Sequence, residues 1–287
     1  MSDYAIEIKG LTKKFDDFIL GPINLCIPRG TIVGYIGQNG AGKSTTLKLL
    51  LGLLRADSGE INVLGKRDPQ NITVKDRIGV VFDDLYLAQE MNAIQVEKFC
   101  SMAYSKWDRQ RFFELKDQFN LPDKKIIKNY SRGMKMKLGV AMALSHHAEL
   151  LILDEATSGL DPIIRDEILD ILLDFMQDEK HTILISSHIL SDLEKVSDYI
   201  AFIDNGKLFF FEGKDELKDK YALCSLSNEE ANNLDKSIVV GRRVHTFGQD
   251  LLVIRDKAPE GIDLQKPSIE DIMIYFVRGD KNESSNL

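Results

Sequence analysis

One stretch constrains this chain more than any other: Gly37-Gln38-Asn39-Gly40-Ala41-Gly42-Lys43-Ser44, which fits the G-x-x-x-x-G-K-[ST] pattern of a phosphate-binding loop. Glycines let successive backbone N–H groups turn inward, and a following helix adds the positive end of its dipole, so the loop is built to hold an anion. The pattern needs a strand before it and a helix after it. Thr31 to Ile36 is a short β-rich run, and Ser44 to Leu54 has helix-forming composition. In such a loop Lys43 reaches the β- and γ-phosphates of a nucleotide, and the Ser44 hydroxyl ligates Mg²⁺. The predicted nucleotide contacts are therefore Gly37, Gln38, Asn39, Gly40, Ala41, Gly42, Lys43, Ser44 and the adjoining Thr45.

A second constellation is Leu150-Leu151-Ile152-Leu153-Asp154-Glu155, four apolar residues ending in two carboxylates. An all-apolar run of this length reads as a parallel strand covered on both faces, and ligands of such sheets bind at the carboxyl edge. Asp154 would hold Mg²⁺, directly or through water, and Glu155 would act as general base on the attacking water. Thr182 to Ile185 is a similar run. Between the two, Asp161 is a suitable N-cap and Pro162 a suitable first helical residue, with Ile164, Ile168, Ile171, Leu172 and Phe175 on one face. Strand, helix, strand is the α/β crossover unit. The expected fold is α/β, of the P-loop nucleoside-triphosphatase kind, around a mainly parallel sheet.

Composition narrows the partners. The formal net charge of −8 disfavours a nucleic-acid binder, whose affinity comes mainly from Lys and Arg displacing counterions. Cys26, Cys100 and Cys224 form no Cys-x-x-Cys pair, so neither a disulfide framework nor a zinc site is predicted, and a reducing compartment fits. No stretch has the apolar length of a membrane-spanning helix, and any membrane contact is expected to pass through another protein. His146-His147 reads as a charge feature at a helix end rather than a metal site. Trp107 and the Phe112-Phe113 pair read as core.

Along the chain, residues 1–213 read as one nucleotide-binding domain, with a helical subdomain over about 84–147. Residues 214–279 form a small α+β accessory region, and 280–287 a polar, frayed tail.

Several further motifs make the reading specific. Tyr130-Ser131-Arg132-Gly133-Met134 lies between the two phosphate-site elements and resembles the signature of ATP-binding-cassette (ABC) proteins, Leu-Ser-Gly-Gly-Gln. Ser131 and Gly133 match it; Tyr130, Arg132 and Met134 depart. Ser158-Gly159-Leu160-Asp161 resembles that family's dimer-contact loop, His188 its switch histidine, and Phe15 its adenine-stacking aromatic. The resemblance spans about Tyr4 to Gly213. It implies an N-terminal antiparallel β subdomain and an ATPase that uses Mg²⁺. It also implies a second copy or a paralogous cassette, whose Ser131 and Gly133 close over the γ-phosphate. The implied partners are integral membrane transporter subunits, with the chain on the cytoplasmic face of the membrane and no role for nucleic acid. The Tyr-Ser-x-Gly-Met form and the tail around Pro267 to Asp271 resemble the bacterial export branch handling drugs, antibiotics or peptides.

One position departs from the family. Where it places a metal-contacting glutamine, this chain has Asp83 followed by Asp84. An aspartate is shorter and only accepts hydrogen bonds when ionised, so Asp83 is a candidate metal ligand of a different kind. Two other readings remain open. A soluble cassette ATPase acting on ribosomes or DNA would usually carry two cassettes or a long coiled-coil insertion. An unrelated P-loop phosphotransferase or GTPase would lack the signature, and a guanine-reading Asn-Lys-x-Asp motif is missing here.

Overall fold

The computed structural model describes residues 3–284. The chain divides into two compact units, Met1–Phe211 and Glu212–Leu287. The first opens with strands β1 (Tyr4–Lys14), β2 (Ile19–Pro28) and β3 (Ile32–Ile36), then helix α1 (Lys43–Leu50), β4 (Ser58–Val63), α2 (Ile72–Lys75) and β5 (Ile78–Val81). Three helices follow, α3 (Ala93–Ala103), α4 (Arg109–Gln118) and α5 (Arg132–Ala143). The unit closes through β6 (Leu150–Asp154), α6 (Pro162–Phe175), β7 (Thr182–Ser187), α7 (Leu190–Val196), β8 (Tyr199–Asp204) and β9 (Lys207–Gly213).

Two sheets form this unit. β2, β1 and β4 pair antiparallel in that order. The larger sheet has the order β5-β6-β7-β3-β8-β9, and its first five strands run parallel. The sequence dictates this division. β2 alternates buried and more exposed positions, as a strand covered on one face must, whereas β3, β6 and β7 are buried at every residue. Asn205 and Gly206, at φ 45° and 76°, make the tight turn between β8 and β9.

Register is what builds the site. Ile36 at the end of β3 lies opposite Ser187 on β7, and Asp154 at the end of β6 lies opposite Ser186. The carboxyl ends of three neighbouring strands therefore open side by side. α6 begins as the sequence predicts: the Asp161 carboxylate accepts from the Ile164 N–H at 3.2 Å, with Pro162 in its first turn. α1 is shorter than expected, ending at Leu50, because Gly52 turns the chain at φ 66°.

The second unit holds α8 (Lys214–Lys220), β10 (Tyr221–Leu226), α9 (Asn228–Asn233), β11 (Val239–His245), β12 (Gly248–Ile254) and α10 (Ile269–Ser284). Its three strands pair antiparallel in the order β10-β12-β11 over a small core of Ala222, Cys224, Leu251 and Val253. α10 comes so close to β11 that a Cβ on Gly241 would lie 2.1 Å from the Tyr275 carbonyl oxygen. The tail expected to fray from residue 280 is helical to Ser284, and residues 285–287 lie outside the described residues.

His146 departs from its expected solvated role. It is fully buried, stacked on Tyr104 with ring centroids 4.0 Å apart, and its two ring nitrogens face the carbonyls of Met142 and Ile78 at 3.3 and 3.2 Å. Burial pushes its pKa below the ordinary histidine value; the two carbonyls and Asp76 oppose this and His147 reinforces it, with burial the largest effect. The folded state therefore resists a proton that the unfolded chain accepts near pH 6.5. The stability this confers is fully present above that pH and is lost as acidification proceeds through the lower, folded value. We expect Tm to fall as pH drops from 7.5 to 5, and to fall less in His146→Phe, which keeps the stack and cannot titrate. Parallel Tm–pH curves from calorimetry would remove His146 as the cause.

Candidate active site

The loop between β3 and α1 folds as a phosphate cradle. Gly42 takes φ 110°, a conformation open to glycine and strained for other residues, and a side chain there would strike Leu20 Cδ1 at 2.7 Å. The first helical turn starts directly after it. The Lys43 ammonium, almost fully buried, donates to the carbonyls of Gly37 at 2.8 Å and Gln38 at 3.3 Å, and lies 3.3 Å from Glu155 Oε1. Behind the loop, the Thr46 hydroxyl donates to the Gly42 carbonyl at 3.0 Å and meets the Tyr35 hydroxyl at 3.1 Å.

The facing wall comes from the ends of β6 and β7. Asp154 is buried, and its Oδ1 accepts the Ser186 hydroxyl at 2.6 Å. The same Ser186 oxygen accepts the Glu155 N–H at 3.1 Å. Glu155 itself sits at φ 53°, a left-handed conformation that costs a non-glycine residue roughly 1–3 kcal/mol. Its backbone is held there by Ser186 and by a turn in which the Ser158 N–H donates to the Glu155 carbonyl at 3.0 Å. The carboxylate is fixed from both sides, since His188 Nδ1 lies 2.6 Å from Glu155 Oε2 while Lys43 approaches the other oxygen. Lysine, glutamate and histidine thus form one connected line along the cavity.

That cavity has a volume of about 360 Å³ and takes in Gln38, Asn39, Gly40, Gly42, Lys43, Ser44, Thr45, Asp83, Glu155 and His188, joined by Phe18, Arg132 and Ser158. Sequence reasoning missed Phe18, and it named Arg132 and Ser158 only as parts of the signature and the dimer-contact loop, not as lining this cavity. Phe18 lies in the short hairpin that also carries Phe15. It is Phe18 that lines the cavity; Phe15 is 44% exposed, 6.3 Å from Phe18 between ring centroids, with the Lys13 ammonium 5.8 Å from its ring. An aromatic next to another predicted aromatic was the available signal.

Ser131 and Gly133 are not among the lining residues. Ser131 caps α5, its hydroxyl oxygen accepting the Met134 N–H at 3.2 Å, which leaves the hydroxyl proton able to donate elsewhere. Gly133 is buried, and a Cβ there would meet Ile164 Cδ1 at 2.6 Å.

The oxygens of Ser44 and Asp154 are of the hard kind that suits Mg²⁺. Among the described residues, no group of three or more His, Cys, Asp or Glu is placed to hold a metal ion. This fits a cation that takes one or two protein oxygens and completes its shell with phosphate and water. It also means that Asp83, Asp154 and Glu155 do not gather into one three-carboxylate cage.

Comparison with known proteins agrees with the geometry. Residues 20–158 match the family model described as ABC transporter. The chain is 36% identical over 222 residues to the lantibiotic transport ATP-binding protein SrtF of Streptococcus pyogenes, covering 75% of this chain and 95% of that protein. It is 34% identical over 211 residues to the bacitracin transport ATP-binding protein BcrA of Enterococcus faecalis, covering 72% of this chain and 68% of that protein. A solved ATP-binding subunit of an ABC transporter superposes with a TM-score of 0.68 at 27% identity, over 75% of this chain and 92% of the other. The fold is shared as well with a dimeric post-hydrolysis state of the cassette MJ0796 bound to ADP and phosphate, at a TM-score of 0.65 and 22% identity. Similarity that runs nearly the whole length of a lantibiotic-transport relative, together with the matching fold, settles the family: this chain belongs to the ABC transporter ATP-binding proteins and is an ATPase of that family.

Proposed function

We propose that the chain binds ATP with Mg²⁺ in the cavity between the glycine loop and Glu155, and hydrolyses it as one half of a nucleotide-sandwiched pair. The pair would drive export of an antibiotic- or peptide-like solute through separate membrane subunits. The observation that carries this reading is the line from Lys43 through Glu155 to His188 beside the loop. Lys43 and the loop N–H groups balance the polyphosphate charge. Glu155 Oε takes the proton of a water whose oxygen attacks the γ-phosphorus, while the bond to the bridging oxygen breaks and releases ADP. His188 orients that carboxylate and reaches toward the transferred phosphate.

Ser44 and Asp154 would hold Mg²⁺, with Asp83 as a further candidate ligand. Bound there, the ion would offset charge on the phosphates. Ser131 and Gly133 would act on the nucleotide of the second copy. The relatives' roles in bacitracin and lantibiotic transport support an antibiotic or peptide cargo. Among the described residues no helix is long and apolar enough to cross a membrane. The apolar groove lined by Phe82, Leu85, Tyr86, Phe99 and Met136, where Tyr86 is 76% exposed, is the surface we propose for contact with the membrane subunits.

Three measurements test this. In steady-state assays Lys43→Ala should lose ATP binding or turnover, whereas Glu155→Gln should bind ATP and hydrolyse it about 10²- to 10⁴-fold more slowly. Near-wild-type turnover in Glu155→Gln would remove the general base. In light scattering the nucleotide-free chain should be mainly monomeric, and Glu155→Gln should dimerise with ATP and Mg²⁺; a fully active protein that stays monomeric at high concentration contradicts the sandwich. Finally, Asp83→Asn keeps size and removes charge, so it should raise the Mg²⁺ concentration needed both for ATP binding, read by calorimetry, and for half-maximal hydrolysis. Asp84→Asn should do much less. Superimposable titrations would make Asp83 a solvated loop acid.

A further inference from the structure

Arg132 stands where the family signature has glycine, and the structure gives it surroundings that its sequence position alone does not explain. Its side chain lines the nucleotide cavity together with Lys43, Asp83, Glu155 and His188. The guanidinium lies against Gly159: a Cβ built on that glycine would be 2.8 Å from Nη1, 3.0 Å from Cζ and 3.4 Å from Nε. The φ of +67° favours glycine at position 159, and the absent Cβ lets the guanidinium come this close without shifting.

Despite two carboxylates on the same cavity, no hydrogen bond or ion pair engages the Arg132 guanidinium among the described residues. Arg132 is also the first residue of α5, the positive end of a helix whose first turn holds no acid. A cation there forgoes the stabilisation that an anion would bring. An exposed guanidinium at the start of a helix, close to Gly159 and lining a phosphate cavity, is available to an anion. Its planar fork suits two phosphate oxygens at once, which a lysine ammonium cannot match.

We propose that Arg132 contacts the terminal phosphate of bound ATP and stabilises the charge that shifts during hydrolysis, as a second cation facing Lys43. The inference rests on the ATP-hydrolysing reading of the cavity. The phosphate has two sources, the nucleotide on the same chain or that on the second copy, and the chemistry is the same for both.

The test uses Arg132→Gln and Arg132→Lys in the full chain. ADP lacks the phosphate concerned, so ADP affinity should stay within about twofold of wild type, while turnover at saturating ATP falls at least about tenfold in Arg132→Gln and recovers partly in Arg132→Lys; arginines in this role contribute up to about 10³- to 10⁵-fold elsewhere. Because the charge sits at a helix start, Arg132→Gln should keep or raise Tm, whereas a purely structural arginine would lower it. Mixed pairs then locate the contact. One chain carries Glu155→Gln, so that only the other site turns over, and Arg132→Gln is placed on either chain. Loss when it sits beside the working Glu155 assigns the same chain's nucleotide; loss when it sits on the other chain assigns the second copy's. Wild-type turnover in both arms, with an unchanged ratio of ATP to ADP affinity, overturns the proposal. Should Lys43→Ala also remain active, the ATP reading itself fails; should Lys43→Ala be dead, only the role of Arg132 does.

Discussion

The parallel pairing of β3, β7 and β6 is the constraint on which everything else hangs. Backbone hydrogen bonds fix Ile36 opposite Ser187 and Asp154 opposite Ser186, so that the glycine loop, Glu155 and His188 leave the sheet at one level. A slip of one residue in either pairing would turn each alternate side chain to the wrong face and separate Lys43 from Glu155. Full burial of these strands makes such a slip costly, because every position is committed to packing on both faces. The stability of the sheet and the precision of the site are one property.

Within that frame, Ser186 ties together the two residues proposed as metal ligand and base. Its hydroxyl donates to Asp154 and its oxygen receives the Glu155 N–H, so a single side chain fixes the carboxylate of one acid and the backbone of the next. The left-handed backbone at Glu155 follows: the chain turns sharply after the strand, Asp154 stays buried, and Glu155 faces the cavity.

Much of this was legible in residue order. Glycines at fixed offsets before Lys43, four apolar residues before Asp154, and Asp161-Pro162 ahead of a helical face each carry a local rule, and local rules act within a few residues. The place of Phe18, Arg132 and Ser158 on this cavity escaped because cavity lining depends on the meeting of segments far apart in sequence. His146 escaped for a related reason: beside His147 it looks like solvated charge, and only the approach of Tyr104 and the Ile78 carbonyl buries it. Helix α10 shows the same limit, continuing through polar residues that composition alone reads as frayed.

The contact of Gly133 with Ile164 joins two segments that a sequence motif treats as separate words. With an isoleucine methyl filling the space where a Cβ would sit, the start of α5 and the start of α6 share one volume. A larger residue at 133 therefore requires the Ile164 side chain to swing aside, so a change at the start of α5 is felt at the start of α6.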